Sequence, residues 1–403
     1  MKVAIITPEF LPNWGGIGTY AAQLAKHLPD DFEVHIISLS RDKKGEKQES
    51  LPGITDRITL HTLGKARDTF LYNSQFQVNL LRDFKSLQAK HGFDVLHANH
   101  AQMPDLFLKL FRHDVPSITT VHTTIISQRA GTKRADLGLR HVERSEKMTY
   151  LLFPALSMAE RAYLRRCRNI IFVSRYIRDL FEATFGPPEH SRIIHNGVDT
   201  SVFRPRAREE CLEHFPALDG LDNVILFSGR MIALKGLDTA IAAFSRIIRE
   251  FDAHLVMAGV GNFDPWRRML QDNGVPESRY VFLEQVPYQE MPYLYPLAST
   301  FMLPSYSESF PMTILEAMSS GLAVVASRVG GIPEMISDQR DGCLFEPGNP
   351  LALAEALTRL LSDRATAERI GKNARTRAMD EFSAVKMAAT TSEVYREVAG
   401  GSA

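Results

Sequence analysis

Residues 299–327, STFMLPSYSESFPMTILEAMSSGLAVVAS, decide the fold of this chain. Their apolar ends, STFMLPS and LAVVAS, predict buried parallel strands, because strands covered on both faces show no polar alternation. The segment between them predicts a helix that begins at Pro311, since proline is favoured at the first helical position. A strand, a helix and a second strand in this order are typical of a parallel α/β sheet.

The same alternation of short apolar runs and helical patterns extends from end to end. Further strands are predicted at KVAIIT, EVHIISL, DVLHA, SITTVH and NIIFVS in the first half, and at NVILFSG, AHLVMAG and YVFLE in the second. Two such series in 403 residues predict an α/β protein with two Rossmann-like, doubly wound domains. The turn-forming residues of 195–207 place the boundary between 197 and 198. A last amphipathic helix follows at 381–403.

Composition narrows the class of protein. Lys plus Arg and Asp plus Glu both number 47, so no global charge favours nucleic acid as a partner. The three cysteines are far apart and lack metal-ligand spacing, which predicts a reducing compartment. The N-terminus resembles no signal peptide, and no stretch approaches the roughly 18 apolar residues of a membrane span. We therefore expect a cytoplasmic protein.

Two glutamates flank the predicted helix start, Glu308 before it and Glu316 in its second turn. The unpaired N–H groups of a helix N-terminus attract phosphate, and a carboxylate on each side could hold hydroxyl groups joined to that phosphate. The alternative is one solvated and one capping glutamate. Glu316 lies among apolar residues, where an unpaired carboxylate would be costly, so a hydroxylated ligand would relieve that cost.

The segment FSGRMIALKG, residues 227–236, places Arg230 and Lys235 in the loop that leaves a buried strand. Such cations can converge on a diphosphate and neutralise a leaving group, although two ordinary surface cations are the simpler alternative. No D-x-D or C-x-x-C motif occurs, so a metal-bridged diphosphate is not indicated. We expect no metal and no other cofactor.

Two further candidates lie in the first half. Gly15, Gly16 and Gly18 precede a predicted helix and could let the backbone approach a phosphate or sugar, although a plain strand-to-helix turn explains them too. His122 ends a strand and could hydrogen-bond a sugar hydroxyl. A histidine satisfied by its own loop is equally consistent there, and it is the interpretation preferred for the three others considered, which are His97, His100 and His195.

Taken together, these segments resemble the retaining glycosyltransferases of family 4, which have the GT-B fold. The resemblance rests on PSYSESFPMTILEAMSSGLAVVASRVGGIPEMI as an E-x7-E block, with GGIGTY, VHTT, VSRYIRD, HNGVD and GRMIALKG in the family's order. It implies two facing domains with a cleft between them. The acceptor would bind mainly to domain 1–197, with helix 381–403 packing back on it, and the nucleotide-sugar donor mainly to domain 198–380.

The resemblance also implies roles for individual residues. Catalysis would involve Glu308, Arg230, Lys235 and His122. Donor contacts would come from Gly16, Arg230, Lys235, Val286, Glu308, Glu316 and the backbone N–H groups of Phe310 and Met312. Acceptor contacts would come from His122, Thr123 and Arg175. Many relatives read E-G-F-G where this chain has Ser309 and Pro311, and Pro311 lacks the N–H group that could have faced the donor.

The reaction implied is metal-independent transfer of a glucosyl, N-acetylglucosaminyl or mannosyl group to an acceptor hydroxyl with the anomeric configuration retained. Such a reaction serves glycan, glycolipid or small-molecule glycoside synthesis. A nucleotide-sugar epimerase of the same fold and a non-catalytic nucleotide-sugar sensor are the alternatives. The sequence does not identify the base, the hexose or the acceptor.

Residues 129–178 contain twelve Lys or Arg and four Asp or Glu. This basic region could recognise a phosphorylated acceptor or contact anionic lipid on the inner face of the membrane. A solvated helix face explains it equally well. A sugar, a polyol and a phosphorylated or lipid-linked compound are therefore all open as acceptors.

Overall fold

The computed structural model describes residues 1–10, 15–40, 57–65, 72–100, 103–111, 113–134 and 151–401. The chain divides into two compact units. The first comprises Met1–Ser127, Met148–Gly197 and Ala384–Ala403, and the second comprises Val198–Ser383 with a short stretch that begins at Gln128. Each unit contains one parallel sheet with helical connections, which confirms the predicted pair of Rossmann-like α/β domains.

The first unit is built on a seven-stranded sheet in the order β3-β2-β1-β4-β5-β6-β7. Its central strands β1, β4 and β5 are almost wholly buried, as expected of apolar strands covered on both faces. The strands are β1 Lys2–Ile6, β2 Glu33–Ser40, β3 Ile58–Lys65, β4 Val95–His100, β5 Ser117–Val121, β6 Asn169–Phe172 and β7 His190–Ile193.

The helices of the first unit connect these strands and cover the sheet. Its last helix joins the same apolar core as the first, because Met387, Ala388 and Tyr395 cluster with Leu24 and Phe32. The helices are Gly16–His27, Tyr72–His91, Leu106–Leu110, Phe153–Leu164, Arg175–Phe185 and Ala384–Ala399, with Ile125–Arg134 following β5.

The second unit is built on a six-stranded sheet in the order β10-β9-β8-β11-β12-β13. Strands β8, β11 and β12 are fully buried. The strands are β8 Val224–Ser228, β9 His254–Gly259, β10 Tyr280–Glu284, β11 Thr300–Leu303, β12 Ala323–Ser327 and β13 Cys343–Phe345.

Helices and short 3₁₀ turns connect the strands of the second unit. The α-helices are Arg208–His214, Leu237–Ile247, Asp264–Asp272, Met291–Leu294, Met312–Ser319, Ile332–Met335, Pro350–Ser362 and Arg364–Glu381. The 3₁₀ turns are Pro216–Leu218, Ala233–Lys235, Glu277–Arg279 and Tyr295–Leu297. Among the described residues, no helix is both long enough and apolar enough to cross a bilayer.

Candidate active site

The strand order of the second sheet reverses between β8 and β11, which are hydrogen-bonded neighbours. Ligands of open α/β sheets bind beyond the carboxyl ends of the strands at such a reversal. The loop after β8 carries Arg230 and Lys235, and the loop after β11 carries Glu308. The topology therefore brings the two predicted donor motifs to one place at the edge of this sheet.

Tyr306 connects these two loops through hydrogen bonds. Its N–H donates to the carbonyl of Leu234 over 2.9 Å, and its hydroxyl donates to Oδ2 of Asp238 over 2.7 Å. The loops also approach at Gly236, which has φ of +67° and whose added Cβ would lie 2.0 Å from the carbonyl oxygen of Pro304. Only glycine combines that backbone conformation with that close approach.

At this edge of the second sheet, Lys235 and Glu308 form an ion pair with 2.5 Å between Nζ and Oε1. Their side chains are only 17% and 10% exposed, so the pair is largely screened from solvent. Ser305 donates from its hydroxyl to the same Oε1 over 2.7 Å. The structure therefore holds one cation and one carboxylate of the predicted site in direct contact, each oriented by the other.

Arg230 and Val286 lie at the same edge of the sheet. Arg230 follows β8 and is exposed, and its guanidinium makes no hydrogen bond or ion pair with the part of the chain that the structure describes. Val286 follows β10 and is half-buried. A cation without an internal partner keeps its full charge and its N–H donors for an anionic ligand.

The helix after Glu308 begins at Met312, one residue later than predicted, and Pro311 is its N-cap. Pro311 has ψ of 128°, an extended value that places it outside the helix. Phe310 and Met312 are both buried beside this helix start. The N–H of the first helical residue has no carbonyl within the helix to bond. The N–H of Met312 therefore belongs to the end of the helix that attracts anions.

The buried carboxylate of Glu316 was expected to need a ligand, but the protein itself supplies hydrogen-bond partners for it. The hydroxyl of Tyr295 donates to Oε2 over 2.7 Å, and Tyr288 also hydrogen-bonds the side chain. A ligand is therefore not required to relieve the cost of burial. Burial nevertheless outweighs both hydrogen bonds and raises the pKa of Glu316 to about 7.

The raised pKa of Glu316 gives a testable dependence of stability on pH. Between an unfolded pKa of 4.5 and a folded pKa of about 7, the native state binds more protons than the unfolded state, so stability falls as pH rises. The loss reaches about 3 kcal/mol above pH 7. Glu316→Gln keeps an acceptor for Tyr295 but cannot ionise, so we expect it to melt several degrees above the wild type at pH 8 and at a similar temperature at pH 5.

Thermal melting at the two pH values checks this expectation. Glu355→Gln, an exposed change on the helix Pro350–Ser362, is the matched control and should leave melting unchanged. A Glu316→Gln protein that melts below the wild type at pH 8 would show that the charged form is stabilised in the native state.

In the first unit, the strand order reverses between β1 and β4, and the loop after β1 leads to the helix Gly16–His27. Gly15 is the N-cap of this helix, and an added Cβ there would lie 2.7 Å from Oε2 of Glu9. An added Cβ on Gly16 would meet nothing within 4 Å. Among the described residues, packing against Glu9 gives a reason for glycine at position 15 but none at exposed Gly16, so the predicted role of Gly16 at a ligand stays a prediction.

His122 directly follows β5 and is buried, with its ring edge-on to Tyr20 at 4.5 Å between centroids. Its Nε2 has no hydrogen-bond partner among the described residues. Burial, aided by His97 and His100, lowers the pKa of His122 to about 3, so the imidazole is neutral. A neutral ring with an unsatisfied buried nitrogen is suited to bind a hydroxyl group.

The other histidines of this region contrast with His122. His97 hydrogen-bonds the hydroxyls of Tyr395 and Thr120, both over 2.6 Å. His100 contacts Oε1 of Glu160 at 3.2 Å and accepts from the N–H of Met103. The protein satisfies their ring nitrogens without a ligand, as predicted, although the partners of His97 lie on other elements and not in its own loop.

The remaining acceptor candidates lie at the same sheet edge. Thr123 follows His122, and its hydroxyl lies 2.9 Å from that of Ser127. Arg175 is exposed and begins the helix Arg175–Phe185, which follows β6 and is capped by Ser174. Of the basic region 129–178, residues 135–150 lie outside the described part of the chain.

The residues that hold the donor motifs in place were not predicted from the sequence. Besides Tyr306, Ser305 and Gly236, these include Gly330, which has φ of +55° and whose added Cβ would lie 1.7 Å from the carbonyl oxygen of Glu308. Gly331 donates its N–H to that same oxygen over 3.1 Å. The glycine pair in VGG, residues 329–331, was the available signal, because paired glycines after a strand often mark close backbone approach.

Two family models match the chain, and together they cover most of it. The model described as glycosyl transferases group 1 matches residues 213–377, and the model of glycosyltransferase family 4 matches residues 14–202. The chain belongs to the group 1 and family 4 glycosyltransferases. The resemblance to the glycosyltransferases of family 4 is thereby confirmed, and the fold is GT-B.

Relatives of this glycosyltransferase have low sequence identity to it, but the matches extend over most of each chain. It is 28% identical to the D-inositol 3-phosphate glycosyltransferase of Acidothermus cellulolyticus, over 88% of this chain and 80% of the relative. It is 26% identical to the alpha-maltose-1-phosphate synthase of Mycolicibacterium smegmatis, over 99% of this chain and 100% of the relative. The solved sucrose-phosphate synthase of Thermosynechococcus elongatus superposes with a TM-score of 0.80 at 22% identity, covering 99% of both chains.

Proposed function

We propose that this glycosyltransferase moves a hexosyl group, glucosyl, N-acetylglucosaminyl or mannosyl, from a nucleotide diphosphate sugar to an acceptor hydroxyl with retention of configuration. The observation that carries the proposal is the contact between Lys235 and Glu308 beside Arg230 at the switch point of the second sheet. Cations suit a diphosphate, and an oriented carboxylate suits sugar hydroxyls. This pairing of a cation and a carboxylate supports a nucleotide-sugar site here.

In the proposed reaction, the bond between the anomeric carbon and the diphosphate oxygen breaks, and the acceptor oxygen bonds to that carbon from the same face. The acceptor's proton passes to the departing phosphate. Arg230 and Lys235 stabilise the negative charge that grows on the diphosphate, so the reaction needs no metal from the protein. Glu308 holds hexose hydroxyls while it orients Lys235.

The family resemblance assigns the remaining donor contacts. Glu316 binds the ribose, since two tyrosine donors do not exhaust the four lone-pair sites of a carboxylate. Val286 lies by the base, and the N–H groups of Phe310 and Met312 face the donor. In the first domain, Gly16 approaches the phosphate and sugar.

We infer a phosphorylated sugar or polyol as the acceptor. All three relatives named above carry a phosphate in their names. In the first domain, neutral His122 with its unsatisfied Nε2 would bind the hexose near the reacting face, with Thr123 beside it. Exposed Arg175 at the same sheet edge supplies the positive charge that a phosphate requires.

A donor panel followed by product analysis tests this function. Thermal shift with UDP-, GDP- and ADP-sugars should show one nucleotide series that raises the melting temperature, because a ligand that binds the native state stabilises it. With that donor and sugar phosphates as acceptors, NMR should show a product with the donor's anomeric configuration. An inverted product would refute retention, and turnover of the donor without an acceptor would indicate an epimerase. Binding without any turnover would indicate a sensor.

We further infer that the helix Phe153–Leu164 contacts anionic lipid at the membrane surface, which would bring the enzyme to a phosphorylated acceptor that is linked to lipid. Leu151, just before this helix, and Met158 on it are 71% and 74% exposed, the two highest values among the large apolar side chains of the described residues. Exposed arginines follow them at 161, 165, 166 and 168. Apolar side chains flanked by cations are typical of helices that lie in a bilayer interface.

Co-sedimentation with vesicles tests the lipid contact. Binding should require anionic lipid, weaken with salt and fall in Met158→Glu. Met379→Glu, at a 47% exposed methionine on the helix Arg364–Glu381, is the matched control and should bind like the wild type. Indifference to lipid charge and salt would favour a soluble acceptor.

A further inference from the structure

Three histidines of the first unit converge from separate elements. His35 lies in β2, His61 in β3, and His91 ends the helix Tyr72–His91. One ring nitrogen of each lies within 4.8 Å of those of the other two. Their positions in the sequence, 26 and 30 residues apart, follow no metal-ligand motif, so the cluster is a product of the fold.

The cluster lies away from the edge of the sheet that carries the candidate acceptor residues. His35 is the third residue of β2, and the helix of His91 ends four residues before β4 begins. Both positions are at the amino-terminal side of the parallel sheet. Gly16 and His122, by contrast, follow the carboxyl ends of β1 and β5. The glycosyl-transfer chemistry therefore does not account for the cluster.

The ring nitrogens can share a metal ion after the rings shift, because two of them lie slightly too close together and the third lies up to 4.8 Å away. Zinc bonds imidazole nitrogen at about 2.0–2.1 Å in tetrahedral sites, which places two ligand nitrogens roughly 3.3 Å apart. Nδ1 of His35 and Nε2 of His61 are already 2.9 Å apart. The rings of His35 and His61 each lie 4.8 Å, centroid to centroid, from the ring of His91.

Glu33 supplies a second observation that points to a ligand. Its Oε1 lies 3.0 Å from Nε2 of His35, the ring nitrogen that faces away from the cluster. A carboxylate on the distal nitrogen fixes the proton there, which leaves the lone pair of Nδ1 directed at the cluster. Metal-binding histidines almost always have such a partner.

The surroundings of the cluster also suit a bound ion. Phe93 covers one side, with its ring centroid 5.1 Å from that of His35 and 5.9 Å from that of His91. His35 is 1% exposed, whereas His61 and His91 are half-buried. The site is therefore shielded at one ligand and open to solvent at the other two, which leaves a path for entry and a position for a water ligand.

We propose that His35, His61 and His91 form a site for a divalent transition-metal ion of the zinc type, oriented through Glu33. The ion replaces the hydrogen bond between His35 and His61, and the proton of the His61 ring moves to its other nitrogen. Three imidazoles provide three ligands, and water completes a tetrahedron. Because the ligands come from two strands and a helix, the ion stabilises the packing of β2 and β3 against that helix.

Metal titration of the full-length protein tests the site. After treatment with EDTA, a hundredfold excess of free Zn²⁺ over its Kd should raise the melting temperature by about 5–10 °C. Co²⁺ should bind at one equivalent with the visible absorption of a tetrahedral centre. Both effects should disappear in His61→Gln and in His91→Gln.

His190→Gln, an exposed histidine on β7 of the same unit, is the matched control and should respond like the wild type. The proposal fails if Zn²⁺ does not stabilise the wild type, or if all three variants respond equally, since the ion would then bind only adventitiously. Should His61→Gln fail to fold, His91→Gln at the helix end and the cobalt spectrum of the wild type still decide the question.

Discussion

Replacing Lys235 with alanine should lower the rate of glycosyl transfer by about 10²–10³-fold while weakening donor binding much less. Negative charge on the diphosphate grows as the bond to the sugar breaks. A cation fixed beside it is therefore worth more in the transition state than in the ground state. Lys235 is fixed in this way, because Glu308 holds its ammonium group in a site that is largely screened from water.

Arg230→Ala should also lower the transfer rate more than the affinity for the donor. Its loss of rate should be smaller than that of Lys235→Ala. Arg230 is exposed, so water moderates the interaction of its charge with the diphosphate. Its side chain also lacks an internal partner in the described part of the chain, so its removal leaves no protein group unsatisfied. The two variants together compare a cation that is held by an ion pair with an exposed one.

Steady-state kinetics with the donor found by thermal shift, together with donor Kd from calorimetry, measure both variants. Arg249→Ala, an exposed change just after the helix Leu237–Ile247, is the control and should match the wild type. Lys235→Arg should recover part of the rate, since it restores the charge with a different shape. Equal losses of rate and affinity in Lys235→Ala would show that the lysine only binds the donor.

The buried strands were predictable from the sequence, and the strands that were missed lie at the edges of the two sheets. All ten predicted strands are present, because fully covered parallel strands appear as continuous apolar runs. The unpredicted β3, β7 and β13 are all edge strands. β7 is mostly exposed and β13 has three residues, so neither carries an apolar run that a sequence pattern could reveal.

For the candidate site, the sequence indicated which residues carry charge but not which groups they contact. Lys235 and Glu308 belong to two motifs and are 73 residues apart in the sequence. They meet only because the strand order makes β8 and β11 neighbours. The same limit explains the error at Glu316. Its partner Tyr295 belongs to the 3₁₀ turn before β11, and a helical pattern around Glu316 carries no information about that turn.

The histidine cluster shows this limit most clearly. Each of its members lies in a different element, and only the packing of the helix Tyr72–His91 beside β2 and β3 brings the rings together. Local patterns can therefore suggest loops at strand ends, whereas clusters assembled by tertiary packing require the structure.

A double-mutant cycle on Lys235 and Glu308 should separate the structural role of their ion pair from its catalytic role. Either single change to alanine leaves a largely buried charge without its partner and should cost about 2 kcal/mol of unfolding free energy. The double variant removes both charges. We expect it to be more stable than the sum of the single changes predicts, by about 1–2 kcal/mol.

The transfer rate, unlike the stability, should not recover in the double variant. If Lys235 stabilises the leaving diphosphate and Glu308 binds the hexose, each acts on the substrate directly, so the double variant should transfer at or below the rate of the worse single variant. Glu308→Gln sharpens the comparison, because it still accepts hydrogen bonds from Lys235 and Ser305 but carries no charge. Chemical denaturation and initial rates on the same preparations measure both quantities. A double variant that regains activity along with stability would mean that the pair serves the fold alone, and that the catalytic cation must be sought elsewhere.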